Sequence, residues 1–492
     1  MFVVIRRRLF IFYGTVPRRL FACSRPAWFR TRQLYFFDCV HSTEKYNIPL
    51  QMIYLDNNAT TIVPQEVKDT ALQWVNIGNP SADHAGGRAA RQLMQQFREY
   101  IGGVFGIDPC CKPATEARNT LPDTDQVMSA ATHQIPGEGS DDPNRYKIIF
   151  CSGASEGNAM VIQSVVASAR QYRNEIPHVV ASAVEHKSII ATLKILSERG
   201  DATYTLVNPQ ITGHVLAEDI ARAIRPNTCL ACVMHANNET GAINPIVEIS
   251  AACHSRNVPL HCDLVQTAGR MAPQIADLGI DSAVMSFHKF HGFPGAGATI
   301  IKQQLILGYH IKAMIPGSQN DGLRGGTENI IGIAAGFAAL KITMSSRREK
   351  NMRSLSQKRE FLTRLSKYFR VRRYPDYVAG PAAGVEIVVI SPERDCLMNT
   401  ILLSVVRREP PRVCNQKIKK ALENSGCIIS VGSACNTAAA SASHVLYALK
   451  ADEFIRAGAL RISLGDTTTQ KNMDEFVKLF VGVVQAHLKH GA

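Results

Sequence analysis

The feature that most constrains the fold is an alternation of short apolar runs with helical patterns between Tyr54 and about Lys302. Strands that alternate with helices are joined by crossovers, which make neighbouring strands parallel and cover both faces of the sheet. We therefore predict an α/β fold with a mainly parallel sheet. The predicted strands are Lys147–Cys151, Val179–Ser182, Leu230–Met234, Pro259–Cys262, Ala283–Ser286 and Ala298–Ile301.

Polar and charged residues follow most of these predicted strands. In open α/β sheets, ligands bind outside the carboxyl ends of the strands. We therefore expect a functional site at this edge of the sheet. The candidates that fall there are Ser152, His186, Asn238, Asp263 and Lys289.

Composition divides the rest of the chain. We predict a large domain over residues 51–340, interrupted by a surface insertion over residues 109–145, which are rich in Pro, Thr, Asp, Gly and Ser. A charged amphipathic helix from about Ile342 to Phe369 marks the boundary. With this helix begins a predicted smaller C-terminal α/β domain, residues 341–492, which carries Cys435.

Residues 1–50 are distinguished by their charge. They hold eight Arg and one Lys against Asp38 and Glu44, which is half of the chain's formal net charge of +14. An Arg-rich segment without an acidic residue before Asp38 is typical of an organelle transit peptide. We predict mitochondrial localisation, with the cytoplasm as the alternative. Because this tail carries so much of the charge, we expect no nucleic-acid partner.

Two further classes of protein are disfavoured by sequence. Arg6 to Arg8 interrupt the first apolar run, and Ile330–Leu340 is far shorter than the ~20 residues that a membrane-spanning helix needs. The 13 cysteines show no repeated spacing, which argues against a disulfide framework and against a metal site. We therefore expect no membrane span and no metal.

Lys289 follows a predicted strand in the run Ser286-Phe287-His288-Lys289. A lysine in this place can form a Schiff base with a carbonyl cofactor such as pyridoxal phosphate, which acts as an electron sink. Asp263 precedes it by one crossover length, and a carboxylate at a strand end suits a protonated pyridinium nitrogen. Each residue alone has an ordinary alternative, a solvated lysine or a helix N-cap.

Two loops complete the candidate chemistry. Ser152–Asn158 follows a strand and opens a helical pattern, so its N–H groups and hydroxyls could bind phosphate, although an ordinary turn would use the same residues. Cys435 lies among small residues in Gly432-Ser433-Ala434-Cys435, a loop-like composition. An amine and a thiol are the two groups needed to remove sulfur from an amino acid, whereas a buried thiol would be inert.

Ordered motifs over residues 53–485 resemble those of pyridoxal-phosphate-dependent cysteine desulfurases, in the class V aminotransferase family of fold type I. That fold has a large domain with a mainly parallel mixed sheet covered by helices, plus a smaller C-terminal α/β domain. The matching motifs are Tyr54-Leu55-Asp56-Asn57-Asn58-Ala59-Thr60-Thr61, Gly78-Asn79-Pro80-Ser81, Ser152-Gly153-Ala154-Ser155-Glu156, Glu185-His186-Lys187, His235-Ala236-Asn237-Asn238-Glu239-Thr240-Gly241, Ser286-Phe287-His288-Lys289, Arg324-Gly325-Gly326-Thr327-Glu328-Asn329, Gly432-Ser433-Ala434-Cys435 and Arg461-Ile462-Ser463.

The resemblance implies a role for each matched position. Lys289 would form the Schiff base, Asp263 would pair with the pyridinium nitrogen, and Gln266 would contact the phenolic oxygen. His186 would stack on the ring and help to transfer protons. The substrate carboxylate would be bound by Asn238 and Arg461. The phosphate would be bound by Ala154, Ser155, Ser286 and His288, joined by the partner subunit's Thr327 in a homodimer.

The implied reaction converts L-cysteine to L-alanine and leaves a persulfide on Cys435. A sulfur-acceptor protein would then receive the sulfur for iron–sulfur cluster or thio-cofactor synthesis. Relatives that feed the main iron–sulfur scaffold share a longer C-terminal extension, which this sequence, ending at Ala492, does not match. Ser155, where the family usually has Thr, keeps the hydroxyl.

Three alternatives stay open. Selenocysteine lyases, which act on L-selenocysteine, share a Ser-Val-Gly-x-x-Cys run like the one at 430–435. A conventional class V aminotransferase would need no thiol at Cys435. A catalytically weak regulatory homologue would retain the fold without the activity.

Overall fold

The described part of the chain, in a computed structural model, comprises residues 52–107, 144–173, 175–377, 384–410, 412–431, 443–456 and 458–489. All of these residues belong to one compact unit. The predicted transit peptide, nearly all of the predicted insertion and Cys435 lie outside the described residues. The predicted domain boundary stays a prediction.

The described strands form three sheets, of two, five and seven strands. They are β1 (Ile53–Tyr54), β2 (Tyr146–Cys151), β3 (His178–Ser182), β4 (Thr203–Val207), β5 (Thr228–Cys232), β6 (Leu260–Asp263), β7 (Ser282–Ser286), β8 (Gly297–Lys302), β9 (Arg370–Arg373), β10 (Glu386–Val389), β11 (Thr400–Val406), β12 (Cys427–Ile428), β13 (Ser430–Val431) and β14 (Leu460–Ser463).

Helices cover the sheets and connect most of the strands. They are α1 (Gln65–Gln73), α2 (Ala85–Phe105), α3 (Ala154–Arg173), α4 (Lys187–Glu198), α5 (Ala217–Ala223), α6 (Ile246–His254), α7 (Gln303–Gly308), α8 (Ile330–Ser345), α9 (Arg347–Leu365), α10 (Asn415–Asn424), α11 (His444–Ala448), α12 (Glu453–Arg456) and α13 (Gln470–Lys489). Single 3₁₀ turns lie at Phe287–Lys289, Asn320–Gly322 and Tyr374–Asp376.

The seven-stranded sheet has the order β2-β8-β7-β6-β5-β3-β4. Strand β8 runs antiparallel to β2 and β7, and the other neighbouring pairs are parallel. Each of the six strands expected from sequence coincides with an observed strand to within two residues. The edge strand β4 was not expected, because its sequence alternates threonines with larger residues and only Val207 is buried.

Alternate residues of the central strands face two different cores. Val180 and Ala231 pack in the core that contains Phe97 of α2. Their neighbours Val179 and Leu230 pack on the other face, with residues of α3 and α4. Since both faces are buried, these strands are apolar throughout, as expected for parallel strands between two layers of helices.

The five-stranded sheet has the order β13-β14-β11-β10-β9 and is antiparallel except for the pair β9 and β10. Its core is closed by α9, α10 and α13, where Phe361 stacks on Phe476 with ring centroids 5.4 Å apart. Strand β1 pairs in parallel with β12, and Leu55 is buried in this same core. The first described residues therefore pack with the C-terminal sheet.

Helices α8 and α9 meet at Ser346 with a bend of 68°. The amphipathic helix predicted from Ile342 begins instead at Arg347, because the preceding apolar helix continues to Ser345. In the described residues no single helix is long and apolar enough to cross a membrane, and only this bent pair meets such criteria when its two helices are taken together.

Candidate active site

The residues that follow the parallel strands converge at one edge of the seven-stranded sheet. Asp263 ends β6, Lys289 follows β7, and His186 lies between β3 and α4. These three side chains are close enough for Asp263 and Lys289 to act electrostatically on the pKa of His186. The structure therefore brings together the three groups on which the predicted chemistry depends.

Lys289 ends the 3₁₀ turn that follows β7, and its side chain is held by the segment after β1. Its Nζ donates hydrogen bonds to the carbonyl oxygens of Asn58, at 2.8 Å, and Ala59, at 2.6 Å. Burial lowers the pKa of Lys289 to about 8, and the positive charges of Arg461 and Arg270 contribute in the same direction. The amine therefore becomes neutral, and nucleophilic, close to physiological pH.

Asp263 is only 5% exposed and accepts hydrogen bonds from neutral groups. Asn158 Nδ2 donates to its Oδ2 at 3.2 Å, and the Val265 N–H donates to its Oδ1 at 2.9 Å. No helix begins at Asp263, so the N-cap alternative is wrong, and the carboxylate caps a turn. Behind it, His261 Nε2 lies 2.8 Å from Asn158 Oδ1, and burial lowers the pKa of His261 to about 3. A neutral imidazole thus orients the amide that faces Asp263.

Gln266 contacts the segment after β1 that also holds Lys289. Its Nε2 donates to the carbonyl oxygen of Asn58 at 3.1 Å, and its Oε1 accepts from Arg270 at 3.2 Å. The Asn58 carbonyl therefore receives both Gln266 and Lys289. The sequence motif that contains Asn58 predicts no role for this residue, because a sequence does not show which backbone carbonyl will accept a hydrogen bond from an amine.

His186 caps α4, and this fixes its ring. Its Nδ1 accepts from the Ser188 N–H at 3.2 Å. Burial lowers the pKa of His186, whereas the negative charge of Asp263 opposes that effect. In the neutral ring the proton therefore lies on Nε2, which is the nitrogen left for proton exchange.

Three of the predicted phosphate ligands, Ala154, Ser155 and Ser286, lie around the start of α3 and the end of β7. The Ala154 N–H donates to Ser286 Oγ at 2.8 Å, and Ser155 follows in the first turn of the helix. The backbone must approach closely here, since a Cβ on Gly297 would lie 2.6 Å from the Cα of Gly153. N–H groups at a helix start with a hydroxyl beside them form a suitable anion site.

The other two predicted ligands differ in their placement. His288 Nδ1 lies 3.1 Å from Thr60 Oγ1, and burial lowers the pKa of His288 to about 4, so the ring is neutral. Thr327 Oγ1 accepts from Asn79 Nδ2 at 3.5 Å and has no hydrogen bond to the other four. Within one chain, no hydrogen bond therefore joins Thr327 to the group around Ala154.

Arg461 reaches the site from β14 of the five-stranded sheet. It donates to Asp56 Oδ1 at 2.7 Å and to the carbonyl oxygen of Asn238 at 3.0 Å. Its Nε is buried and has no hydrogen-bond partner among the described residues. The guanidinium thus keeps a buried N–H without a partner, and the Asn238 carbonyl lies directly beside it.

Cys435 lies outside the described residues, but the chain on both sides of it is described. Before it, Ser430 pairs with Arg461 across β13 and β14. After it, Ser443 Oγ donates to Glu239, the residue that follows Asn238, at 2.6 Å. The segment that carries Cys435 therefore begins and ends beside residues predicted to bind the substrate.

Comparisons with known proteins identify the family of the chain. Residues 141–476 match the family Aminotransferase class-V. A cysteine desulfurase IscS of Dictyoglomus turgidum is 30% identical over 437 residues, covering 88% of this chain and 94% of that protein. A cysteine desulfurase of Bradyrhizobium diazoefficiens is also 30% identical, over 86% of this chain and 92% of that protein.

A solved NifS-like protein superposes on the chain with a TM-score of 0.70 at 26% identity, covering 88% of this chain and all of that one. The predicted α/β fold with mixed sheets is thereby confirmed. The family resemblance found in the sequence is confirmed as well. Because the family match covers more than half of the sequence and the relatives span nearly all of the described fold, the chain belongs to the class V aminotransferase family.

Proposed function

We propose that the chain is a pyridoxal-phosphate-dependent cysteine desulfurase, which converts L-cysteine to L-alanine and carries the sulfur away on Cys435. The curated relatives quoted above are named cysteine desulfurases. The observation that carries the proposal is that the Cys435 segment is attached beside Arg461 and Asn238, at the same edge that holds Lys289. The Lys289 amine, the proposed carboxylate-binding group Arg461 and the two ends of the segment that carries the Cys435 thiol then share one site.

The residues present fit the cofactor. Asp263 is a buried carboxylate that forms no ion pair with any described residue, and a buried carboxylate is expected to meet a cationic donor such as a pyridinium N–H. The group around Ala154 and Ser286 would hold the phosphate, and Lys289 would bind the carbonyl carbon. When bound, pyridoxal phosphate withdraws electrons from the substrate Cα, which makes bond changes at Cα and Cβ accessible.

Lys289 and His186 are the proton carriers of the proposed site. Lys289 holds a proton on Nζ against the carbonyl oxygens of Asn58 and Ala59, and its pKa of about 8 lets it release that proton near neutral pH. His186 has Nδ1 occupied by Ser188, so it exchanges protons only through Nε2. Two proton carriers with separate hydrogen-bond partners can serve two different positions of the substrate.

Arg461 would orient the substrate. Its free Nε and its planar fork suit a carboxylate, which accepts two parallel hydrogen bonds from a guanidinium. Asp56 and the Asn238 carbonyl fix the opposite side of the fork, so little side-chain freedom would be lost on binding.

Cys435 would supply the nucleophile. Its thiolate attacks the substrate sulfur, the S–S bond forms, the carbon–sulfur bond breaks, and the products are the enzyme persulfide and, after protonation, alanine. Cys435 follows Ser430 by five residues, a length of chain that spans at most about 18 Å. A sulfur-acceptor protein would take the sulfur for iron–sulfur cluster or thio-cofactor synthesis.

Two further parts of the proposal concern assembly and location. A homodimer is supported by the resemblance to the family and by the lack of a hydrogen bond between Thr327 and the other predicted phosphate ligands of the same chain, since the partner subunit's Thr327 could complete the group. Mitochondrial import is supported only by the arginine-rich composition of residues 1–50.

The proposal is tested by a side-by-side assay of the purified, pyridoxal-phosphate-loaded protein with L-cysteine and L-selenocysteine. Alanine, sulfide and selenide are measured, and mass spectrometry is used to find a persulfide on Cys435. We expect alanine and persulfide in equal amounts from L-cysteine in a single turnover. Selenocysteine turnover with negligible cysteine turnover would instead identify a selenocysteine lyase. Protein that stays colourless and inactive after incubation with pyridoxal phosphate would indicate a regulatory homologue.

A further inference from the structure

Ser443 and His444, at the start of α11, are bonded to two residues of the seven-stranded sheet unit. Ser443 Oγ donates to Glu239 Oε2 at 2.6 Å, and His444 Nε2 lies 2.9 Å from the carbonyl oxygen of Glu185. Glu239 follows Asn238, and Glu185 precedes His186. Each bond is therefore made to the immediate neighbour of a residue proposed to act on the substrate or the cofactor.

Ser443 uses its hydroxyl in two ways. While it donates to Glu239, it also accepts from the Leu446 N–H at 3.3 Å and so caps α11. Ser443 is 4% exposed and Glu239 is fully buried, so water does not compete for this bond. A hydrogen bond to a buried carboxylate is among the stronger kinds in proteins. A hydroxyl, which both accepts and donates, can cap the helix and donate to Glu239 at the same time.

The turn that contains Glu239 is rigid. Asn237 Oδ1 accepts from the N–H groups of Glu239 and Thr240, both at 2.9 Å. Gly241 closes the turn with a φ of +80°, a conformation that favours glycine. A bond to Glu239 therefore acts on a stiff unit, and through that unit on the Asn238 carbonyl that Arg461 binds.

The Glu185 carbonyl is equally well fixed. The Glu185 side chain accepts from Ser182 Oγ at 2.5 Å and from the Met234 N–H at 2.8 Å, which links the ends of β3 and β5. Burial raises the pKa of Glu185 to about 8, so the group is largely protonated at neutral pH. Because the carbonyl oxygen can only accept, His444 Nε2 carries the hydrogen in this bond.

We infer that the Ser443–Glu239 and His444–Glu185 bonds form a two-point anchor, here called the α11 anchor, that positions the Cys435 segment for sulfur transfer. The inference rests on the proposed function. Ser443 follows Cys435 by eight residues and is the first described residue after it, so the anchor sets where that segment rejoins the site. Ser443 and His444 are positioning residues, which act through Glu239 and Glu185.

The test uses three substitutions of Ser443 in the cofactor-loaded, full-length protein. Ser443→Thr keeps both functions of the hydroxyl and is expected to retain wild-type rates. Ser443→Asp still caps α11 but places a second carboxylate against Glu239. We expect it to slow single-turnover persulfide formation by about tenfold, with the KM for L-cysteine changed by less than about twofold. Ser443→Ala should fall between the two.

A second change in the Ser443→Asp background makes the test specific. Glu239→Gln replaces the repulsion by an amide donor facing a carboxylate, and we expect it to restore most of the lost rate. Ser425→Ala is the matched control, because Ser425 Oγ donates only to a carbonyl at the exposed end of α10. Should Ser443→Asp fail to fold, His444→Gln, which keeps a donor near Nε2, is compared with His444→Phe, which does not.

Hydrogen exchange separates this inference from the proposed function. In Ser443→Asp we expect faster exchange at Glu239 and Thr240 but unchanged protection of the Leu446 amide, which the new carboxylate still caps. Wild-type protein that forms no persulfide would refute the proposed function, and exchange would still report on the anchor. Wild-type exchange and wild-type rates in folded Ser443→Asp would overturn the inference.

Discussion

The two larger sheets supply the site in different ways. In the seven-stranded sheet, Asp263, His186 and Lys289 lie at or after the ends of strands, on turns and helix starts. In the five-stranded sheet, Arg461 lies inside β14, where it is paired with Leu402 on one side and Ser430 on the other.

The two sheets therefore fix the positions of their site residues in different ways. The side chain of a residue at a strand end is oriented by the turn that follows, as the Asp263 carboxylate is by the hydrogen bond from the Val265 N–H. A residue inside a strand is fixed by two ladders of hydrogen bonds and can move only with its sheet. The distance between Arg461 and Lys289 is therefore set by the contact of the two sheets, which Asp56 and Asn58 bridge from the first described segment.

Removal of Lys289 disrupts the strand-end half of the site, formed by Asp263, His186 and Lys289, and should have the largest effect on activity. We expect Lys289→Ala to lower cysteine turnover by at least about 10³-fold, because it removes both the proposed covalent attachment of the cofactor and a proposed proton carrier. The visible absorbance of the lysine-bound cofactor should disappear. Steady-state alanine formation and an absorbance spectrum measure the two losses. Lys194 is an exposed lysine of α4, and Lys194→Ala is the control, which should leave both turnover and absorbance unchanged.

Cys435→Ser should separate sulfur transfer from substrate binding. We expect sulfide release to fall by about 10³-fold, because a hydroxyl is a far weaker nucleophile toward sulfur than a thiolate. The spectral change on adding L-cysteine should persist, since the strand-end residues are intact. Cys414→Ser, at the start of α10, is the control. Unchanged desulfuration in Cys435→Ser would assign the nucleophile elsewhere.

Arg461→Lys tests the strand-internal half of the site. Lysine keeps the charge but loses the planar fork, so we expect the KM for L-cysteine to rise by roughly 10- to 100-fold with a smaller change in kcat. Steady-state kinetics and the spectral change on titrating L-cysteine report the effect. A KM equal to that of the wild type would show that the substrate carboxylate is bound by another group.

Asp466→Asn tests the contact between the two sheets and should have the smallest effect. Asp466, just after β14, accepts from Lys350 of α9 at 2.5 Å and from His291, near Lys289, at 3.1 Å. Burial alone would raise the pKa of Asp466, but His291 and Lys350 together outweigh it and lower the pKa from its ordinary 3.8 to about 2. A carboxylate with a depressed pKa stabilises the fold above pH 3.8, and that contribution is lost as the pH falls through 2.

We therefore expect Asp466→Asn to lower the free energy of unfolding by about 1–3 kcal/mol at pH 7, with a difference that shrinks at pH 3. Urea unfolding of the cofactor-free protein at the two pH values is the measurement. Asp201→Asn is the control, since it breaks an exposed ion pair with Arg170 and should cost less than about 1 kcal/mol. An equal loss for both variants at pH 7 would mean that Asp466 adds no more than a surface pair.

The same division explains how much was predictable from sequence. The central strands of the large sheet are continuous apolar runs, so their positions and the polar residues at their ends could be predicted directly from the sequence. Once the strands were placed, the common edge for Asp263, His186 and Lys289 followed from topology. The edge strand β4 lacked this signal because most of its side chains are at least partly exposed.

Contacts that depend on backbone atoms or on distant segments could not be predicted. The role of Asn58 comes from its carbonyl oxygen, which carries no side-chain signature. The pairing of Arg461 with Asp56 joins residues 405 positions apart. Resemblance to a family supplied the role of Arg461, whereas residue patterns alone would have left it an ordinary strand arginine.

The pairing of β1 with β12 has a consequence for synthesis. Ile53 leaves the ribosome long before Cys427, its partner in the parallel ladder, and Asp56 bridges to Ser463 later still. Contacts of such sequence separation form slowly and only once both segments exist. The carbonyl oxygens of Asn58 and Ala59 that hold Lys289 can therefore be fixed only after Cys427 and Ser463 have been synthesised, and a nascent chain that ends before them should be unable to bind the proposed cofactor productively.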